Sequence, residues 1–554
     1  MRIGILELLT GEARRSWTDK AYALLLTSQY ASVMPQAISV WCRKLGYEVF
    51  YATYWGQRPP EQLLPDDLDV VFISTYTLSS GLAYALAKLY RHRRTLTVIG
   101  GPHAKAFPDD CLRFFDLVVL ECDETLLTEI LADLPRGDIV SSGRTLSAVP
   151  SVVERMPEIE KSIFWRGKPY LSTTIPMLAS VGCPYTCNFC IDWKNPYVLL
   201  PLDQLEEDLK FISATMPGVM LGFADPNFAV RFDQVLSVLE TVPPGSRNRY
   251  IMESSLTNLR GPRLQRLRDT NCFYVAPGVE SWTAYSNKSG LGAAASGRWK
   301  LDHLVEHFEL LREYVGGIQA NLIFGLDMDE GDEPVELSKE FMSRTPFIWP
   351  TVNIPIPFGG TPLFDQYLEE GRILTAMPFS FYNAPYLVIK IKNYSPIAYY
   401  EKLLEMFKHM VSKRMLAARF QASRGPIRVG HLFRAREIRV HTYRRVLTLL
   451  RTDRQFRAFH EGESQELPEF YHAEYERLLG PYASLVSREE RRPVLQQRES
   501  AREARASAHD RLVGAGVLEM PGLAAGDAFE RQLAQLATLK REVSGGPPPP
   551  ASAS

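Results

Sequence analysis

The sequence predicts an α/β protein in three parts: a doubly wound parallel sheet, a second and barrel-like parallel array, and a helical C-terminal domain. Three observations predict it. Short apolar runs alternate with helical patterns over the first 150 residues or so; the alternation resumes for six units after about residue 176; and beyond about Tyr399 the pattern is helical only.

In the first part, apolar runs at Arg2–Glu7, Glu48–Ala52, Asp69–Ser74, Thr95–Ile99 and Leu117–Leu120 read as strands, with helical patterns such as Ala37–Leu45 and Gly81–Tyr90 between them. This is a Rossmann-like order, in which ligands sit on the loops at the carboxyl ends of strands. Those loops are Thr75–Ser80 and Gly100–His103, rich in small and hydroxylic residues that let a ligand approach the backbone. A weakly patterned stretch from about Asp138 to Thr174 reads as a linker, most clearly over 151–175. The second part, 176–375, has strands expected at Met177–Val181, Val219–Ala224, Arg249–Glu253, Phe273–Ala276, Ile318–Phe324 and Trp349–Ile356, with helices such as Leu202–Ala214 and Leu301–Val315. Six βα units suit a partial (β/α)6 barrel and are too few for a closed eight-strand one. A helical domain is expected over 376–485, and over 486–554 a charged segment (Ser487–Arg511), expected to be solvated, and a compositionally disordered end.

Lys and Arg number 63 against 64 Asp and Glu, for a net charge of -1, so no long-range attraction draws nucleic acid or an anionic membrane, although a local patch can still bind either. The first residues lack the basic start and longer apolar core of a signal peptide. No run of roughly 18 apolar residues predicts a membrane span. Seven cysteines, odd in number and unevenly spaced, argue against a disulfide framework and for a reducing, cytoplasmic setting.

The decisive segment is Gly182-Cys183-Pro184-Tyr185-Thr186-Cys187-Asn188-Phe189-Cys190, which follows the first strand of the second part. Its C-x3-C-x2-C spacing supplies three thiolates and no fourth. A cubane held by Cys183, Cys187 and Cys190 keeps one iron open to a chelating small molecule. A structural zinc site wants four ligands, usually paired, and a ferredoxin-type cluster wants four cysteines. The nearest histidines on either side, His103 and His303, are remote in sequence.

This segment resembles the signature of the radical S-adenosylmethionine (SAM) superfamily, and the resemblance extends over about 176–365. It implies a 4Fe-4S cluster whose open iron is chelated by SAM, and cleavage of SAM to a 5′-deoxyadenosyl radical by an electron from a donor such as flavodoxin or ferredoxin. Phe189 matches the position whose backbone contacts adenine. Asp225 and Asn227, in the Gly222–Phe228 stretch, match polar residues near the SAM amino group; Asp225 reads equally as a turn carboxylate. Glu253 ends the third strand, and Glu280, in Gly278–Ser281, is similar to a motif whose carboxylate accepts from ribose; a structural ion pair is the other reading of Glu280. Ile323, in Asn321–Leu326, matches apolar packing on adenine, and Pro357–Leu363 resembles the sixth-strand ending.

The stretch VIGGPHAKAFPDD with the following DLVVLECDETLL resembles the cobalamin-binding domain fused to many radical SAM enzymes. Thr75, Thr77, Ser79, Gly100, Gly101, His103 and Glu124 match positions around that cofactor. No D-x-H-x-x-G motif is present, and Glu121-Cys122-Asp123-Glu124 stands where relatives carry a glycine-containing segment, so a scaffold that has lost the cofactor is the competing reading. With both cofactors, the resemblance implies methylation of an unactivated carbon in a small-molecule substrate. A radical cyclase, oxidase or rearrangement enzyme is the alternative, and a binding module without turnover a third. The aromatic residues of Phe379–Leu387, Trp282, Tyr285 and Trp299 suit either a pocket wall or core. No catalytic acid or base, substrate identity or oligomeric state can be read.

Overall fold

The structure is a computed structural model that describes residues 1–13, 16–283, 296–438 and 440–496. Six strands, β1 (Arg2–Leu8), β2 (Glu48–Tyr54), β3 (Val70–Thr75), β4 (Leu96–Gly100), β5 (Leu117–Val119) and β6 (Asp138–Val140), form a parallel sheet in the order β2-β1-β3-β4-β5-β6. Helices cover both faces, so β1 from Ile3 to Leu8 is wholly buried and reads as an apolar run interrupted by Glu7 alone. The order reverses between β1 and β3, which opens a crevice between the loops after those strands.

β6 and a helix at Val152–Ile163 fall in the stretch expected to be a linker without structure. The helix starts with a capping box, in which Ser151 and Glu154 satisfy each other's backbone N–H groups. Val152, Met156, Ile159 and Ile163 keep the helical period, but Pro157 within it reads against a helix. Its Arg155 is almost fully buried. It donates to the Pro150 carbonyl at 3.0 Å, to Gln36 Oε1 at 2.8 Å and to the Pro176 carbonyl at 3.1 Å. Glu158 on the same helix accepts from Ser39 and Arg43. The segment is therefore a bolt between the two sheets.

The second sheet begins with β7 (Thr174–Met177). β8 (Ser180–Val181) and β9 (Val198–Leu199) then form an antiparallel pair outside it. The strand expected over Met177–Val181 is thus two pieces, because the chain turns away where Asp225 takes the Ala179 N–H and the Ser180 hydroxyl. β10 (Met220–Phe223), β11 (Tyr250–Met252), β12 (Cys272–Val275), β13 (Gly278–Glu280), β14 (Gly317–Ile323) and β15 (Ile348–Asn353) follow. β12 and β13 pair with successive parts of β14, so they are one strand position broken at Ala276-Pro277. Six parallel positions in chain order, each followed by a helix, make the expected open (β/α)6 array.

Helices from Pro396 to Leu479 form the C-terminal domain. Phe379, Phe381, Tyr382 and Tyr386 are buried and serve as core, as does Trp282, whose indole N–H reaches Ser338 at 2.8 Å; Trp299 lies against His303, and Tyr285 falls outside the described residues. Phe107 of the first domain joins all three parts, at 3.9 Å from Phe379 and 5.8 Å from Phe364 of the barrel. The charged segment from Ser487 is docked at several points as far as residue 496, with Ser487, Arg488, Glu489 and Arg492 exposed to solvent as expected of a charged segment. Glu490 pairs with Lys88 at 2.5 Å, Arg113 donates to the Glu490 and Arg492 carbonyls, and the Val494 N–H donates to Asp110. The disordered end expected beyond it lies outside the described residues.

Replacing Arg155 strands three buried acceptors. Arg155→Ala is expected to destabilise the protein by about 2–4 kcal/mol, and Arg155→Met, which refills the volume, by less; thermal melts followed by circular dichroism check the order.

Candidate active site

The cysteine loop spans residues 182–197 between β8 and β9 and stands at the carboxyl end of β7. Gly182 starts it at φ +70°, and a Cβ there would collide with the Pro196 carbonyl, so glycine is required where the two arms cross. The Cys183 N–H donates to the Asn195 carbonyl at 3.1 Å and the Cys190 N–H to the Cys187 carbonyl at 3.0 Å. The far wall of the barrel holds the loop's outer part. The Asn188 carbonyl accepts from the Leu363 N–H at 3.0 Å, and the Trp193 indole donates to the Gly360 carbonyl at 2.9 Å. Tyr185 meets Thr257 at 2.6 Å.

Cys183 is buried, while Cys187, Cys190 and Phe189 are half-buried. Among the described residues no three His, Cys, Asp or Glu side chains already form a metal-ligand group. The donor set nevertheless fits a cluster: three thiols on one short loop, none in a disulfide, with an amide aimed at one sulfur. That amide is Asn227 Nδ2, 3.8 Å from Cys183 Sγ. Its Oδ1 accepts from the Ser255 N–H at 2.9 Å, so Asn227 ties the cysteine to the loop after β11.

Asp225 is fully buried and both oxygens are engaged, Oδ2 with the Ala179 N–H at 3.1 Å and Oδ1 with the Ser180 hydroxyl at 2.5 Å. Burial pushes its carboxyl up to about 6 against those hydrogen bonds. The structure thus gives it the work of a turn carboxylate. Glu253 is exposed at the end of β11, and Ile323 is half-buried on β14, opposite Asn353 in register. Glu280 is buried at φ +64°, a strained conformation for a residue other than glycine. Buried Lys300 holds that turn by donating to the carbonyls of Val279 at 3.2 Å, Thr283 at 3.4 Å and Ser281. Burial draws the Lys300 ammonium down to about 8, and the charge of Glu280 opposes the fall. Asp329 accepts from the Gly325 and Leu326 N–H groups and shapes the end of β14.

In the first domain, Thr75, Thr77, Ser79, Gly100, Gly101, His103 and Glu124 gather along the carboxyl edge of the sheet. Gly101 has φ +91°, a conformation L side chains rarely adopt, and a Cβ there would come within 3.0 Å of the Thr75 carbonyl oxygen. His103 is fully buried and burial lowers it to about 3, so it is neutral. The Tyr84 hydroxyl donates to Asp110 at 2.6 Å and meets His103 Nε2 at 2.7 Å, leaving Nδ1 as the bare acceptor. Neither His103 Nδ1 nor the buried Ser79 hydroxyl has a hydrogen-bond partner. Two unsatisfied polar atoms beside the crevice fit a polar ligand there. Glu121 pairs with Lys105 at 2.9 Å, and Asp123 caps the following helix and pairs with Arg144, so the unusual acidic segment has structural work. Glu124 is exposed in that helix's first turn.

Several contributors escaped the sequence reading. Glu7, buried at the end of β1 and pushed up to about 7, accepts from the Ser32 N–H; an acid ending an apolar strand was a usable signal. Lys300 carried none, since a lysine early in a helix reads as solvated.

No family model matches the chain. It is 26% identical over 365 residues to the bacteriochlorophyllide d C-8(2)-methyltransferase of Chlorobaculum tepidum, covering 62% of this chain and 77% of that one. To the C-12(1)-methyltransferase of the same organism it is 23% identical, covering 73% and 88%. To the hopanoid C-2 methylase of Rhodopseudomonas palustris it is 24% identical, covering 50% and 53%. Among solved structures, the radical SAM methyltransferase TsrM of Kitasatospora setae, with cobalamin and a 4Fe-4S cluster bound, aligns at a TM-score of 0.45 and 14% identity, over 69% of this chain and 79% of that one. With the cysteine loop at the mouth of a parallel (β/α)6 array, these sequence matches show a chain similar to the B12-binding radical SAM methyltransferases, the bacteriochlorophyllide and hopanoid methylases among them.

Proposed function

We propose that this enzyme methylates an unactivated carbon of a small biosynthetic substrate, of the kind its bacteriochlorophyllide and hopanoid relatives are named for. The observation that carries this reading is the three-cysteine loop, clamped at the carboxyl end of β7 beside the ligand edge of the first domain. Bound there, a 4Fe-4S cluster supplies the electron that cleaves SAM, and cobalamin supplies a carrier for the methyl group.

The chain's own residues orient and enclose. Cys183, Cys187 and Cys190 hold the cluster, drawing their thiols together as the loop takes it up. Asn227 donates to the Cys183 sulfur, and Asp225 fixes the base of the loop. Phe189, Glu253, Glu280 and Ile323 form the SAM subsite on neighbouring strand ends, with Lys300 holding Glu280 in its turn. Thr75, Thr77, Ser79, Gly100, Gly101, His103 and Glu124 receive cobalamin, where Ser79 and His103 offer unsatisfied polar atoms. An external one-electron donor such as flavodoxin or ferredoxin completes the system.

Anaerobic reconstitution of the full chain with SAM and cobalamin tests the reading. Methylation yields S-adenosylhomocysteine together with 5′-deoxyadenosine, whereas 5′-deoxyadenosine alone assigns the radical-only alternative. Cys183→Ala, Cys187→Ala and Cys190→Ala are each expected to remove the cluster's visible absorbance and all SAM cleavage. Asn227→Leu is expected to keep iron content but lower the cluster potential by on the order of tens of millivolts, because an N–H donor to sulfur stabilises the reduced state; a redox titration followed by electron paramagnetic resonance reads this. Above pH about 8 the Lys300 charge is lost and Glu280 loses its counter-charge, so KM for SAM is expected to rise severalfold. Lys300→Arg, which stays protonated, is expected to abolish that rise.

A further inference from the structure

The end of the barrel opposite the cysteine loop carries a surface unused by this reading. Between Glu405 and Glu437 lie 31 residues with eight Lys or Arg and no Asp or Glu, in a chain whose net charge is only -1. They include helices at Lys413–Ala422 and Pro426–Glu437, which pack against the amino ends of the barrel strands. Arg434 donates to the Tyr274 hydroxyl at 2.7 Å, and buried Arg419 donates to the Ile348 carbonyl.

Toward solvent these helices expose Phe420, Val429, Leu432 and Phe433, each 45% accessible or more. Val429, Leu432 and Phe433 are three and four residues apart and share one helix face. Exposed Lys413, Arg414, Arg424 and Arg428 accompany them. Beside them opens a cavity of about 390 Å³ whose lining includes Arg249, Arg268, Arg312 and Arg424, with Glu313 as its carboxylate. Glu313 lies 3.6 Å from Arg312 and 3.4 Å from Arg424, and Glu309 also pairs with Arg312. Arg249 and Arg268 lie over the rings of Phe273 and Tyr314.

A hydrophilic polyanion would satisfy these arginines and leave the apolar face in water. An anionic bilayer satisfies both, since its interface takes apolar side chains and its phosphates take guanidinium groups. We propose that the two helices are a docking surface for an anionic phospholipid membrane, and that the four-arginine cavity receives a lipid phosphate.

The test is co-sedimentation of the full chain with phosphatidylcholine vesicles, with and without about a third phosphatidylglycerol, at about 0.1 M salt. Binding is expected only with the anionic lipid. The double variants Leu432→Ser/Phe433→Ser and Arg424→Glu/Arg428→Glu are each expected to lower partitioning about tenfold or more. All four side chains are exposed, so both variants should melt with the wild type; if one does not, Phe420→Ser replaces it. Four results overturn the proposal: no sedimentation with anionic vesicles; binding indifferent to lipid charge; binding unchanged in both variants; or binding displaced by inorganic phosphate at constant ionic strength, which assigns the cavity to a soluble anion. Retention on heparin without vesicle binding assigns the surface to a polyanion and also overturns it.

Discussion

A buried carboxylate must be hydrogen-bonded or give up its charge. Asp225 meets that demand by taking the Ala179 N–H and the Ser180 hydroxyl, where the chain leaves the second sheet. Without those bonds β7 would have no reason to stop at Met177, and the loop carrying the cysteines would have no fixed origin. Two residues on, Asn227 extends the same hold to Cys183 and to the loop after β11. One short stretch after β10 therefore fixes the start of the cysteine loop, while Gly360 and Leu363 hold its outer part.

The parallel strands were legible because burial on both faces turns them into nearly continuous apolar runs, as in Val70–Ile73 of β3. The three cysteines were legible because their spacing is local. The helix Val152–Ile163 was not, because the proline inside it argues against a helix and its purpose is set by Gln36 and Pro176, distant in sequence. The early end of β7 was hidden for the same reason, since Asp225 ends it from 45 residues away. Motif matching located the stretches around Asp225 and Glu280. It was silent on Lys300, whose three carbonyl partners exist only once the turn at Glu280 is folded.

The contrast between the ends of the barrel follows from parallel topology. Strand carboxyl ends present turns that can be shaped by Glu280, Asp329 and Gly325, and they face the crevice side of the first domain. The amino ends are closed by the two basic helices, with Arg419 and Arg434 buried or half-buried among aromatic rings. Chemistry and surface attachment are thereby separated by the length of the strands, so changes in one end need not disturb the other.

The segment from Ser487 to residue 496 returns to the first domain through Lys88, Asp110 and Arg113, while the Ala13 N–H donates to the Leu478 carbonyl. Both extremities of the described chain thus bear on the first domain, one as its strand β1 and the other on helices that flank its sheet. A hinge between the first domain and the barrel would have to release these contacts as well as break the Arg155 bolt.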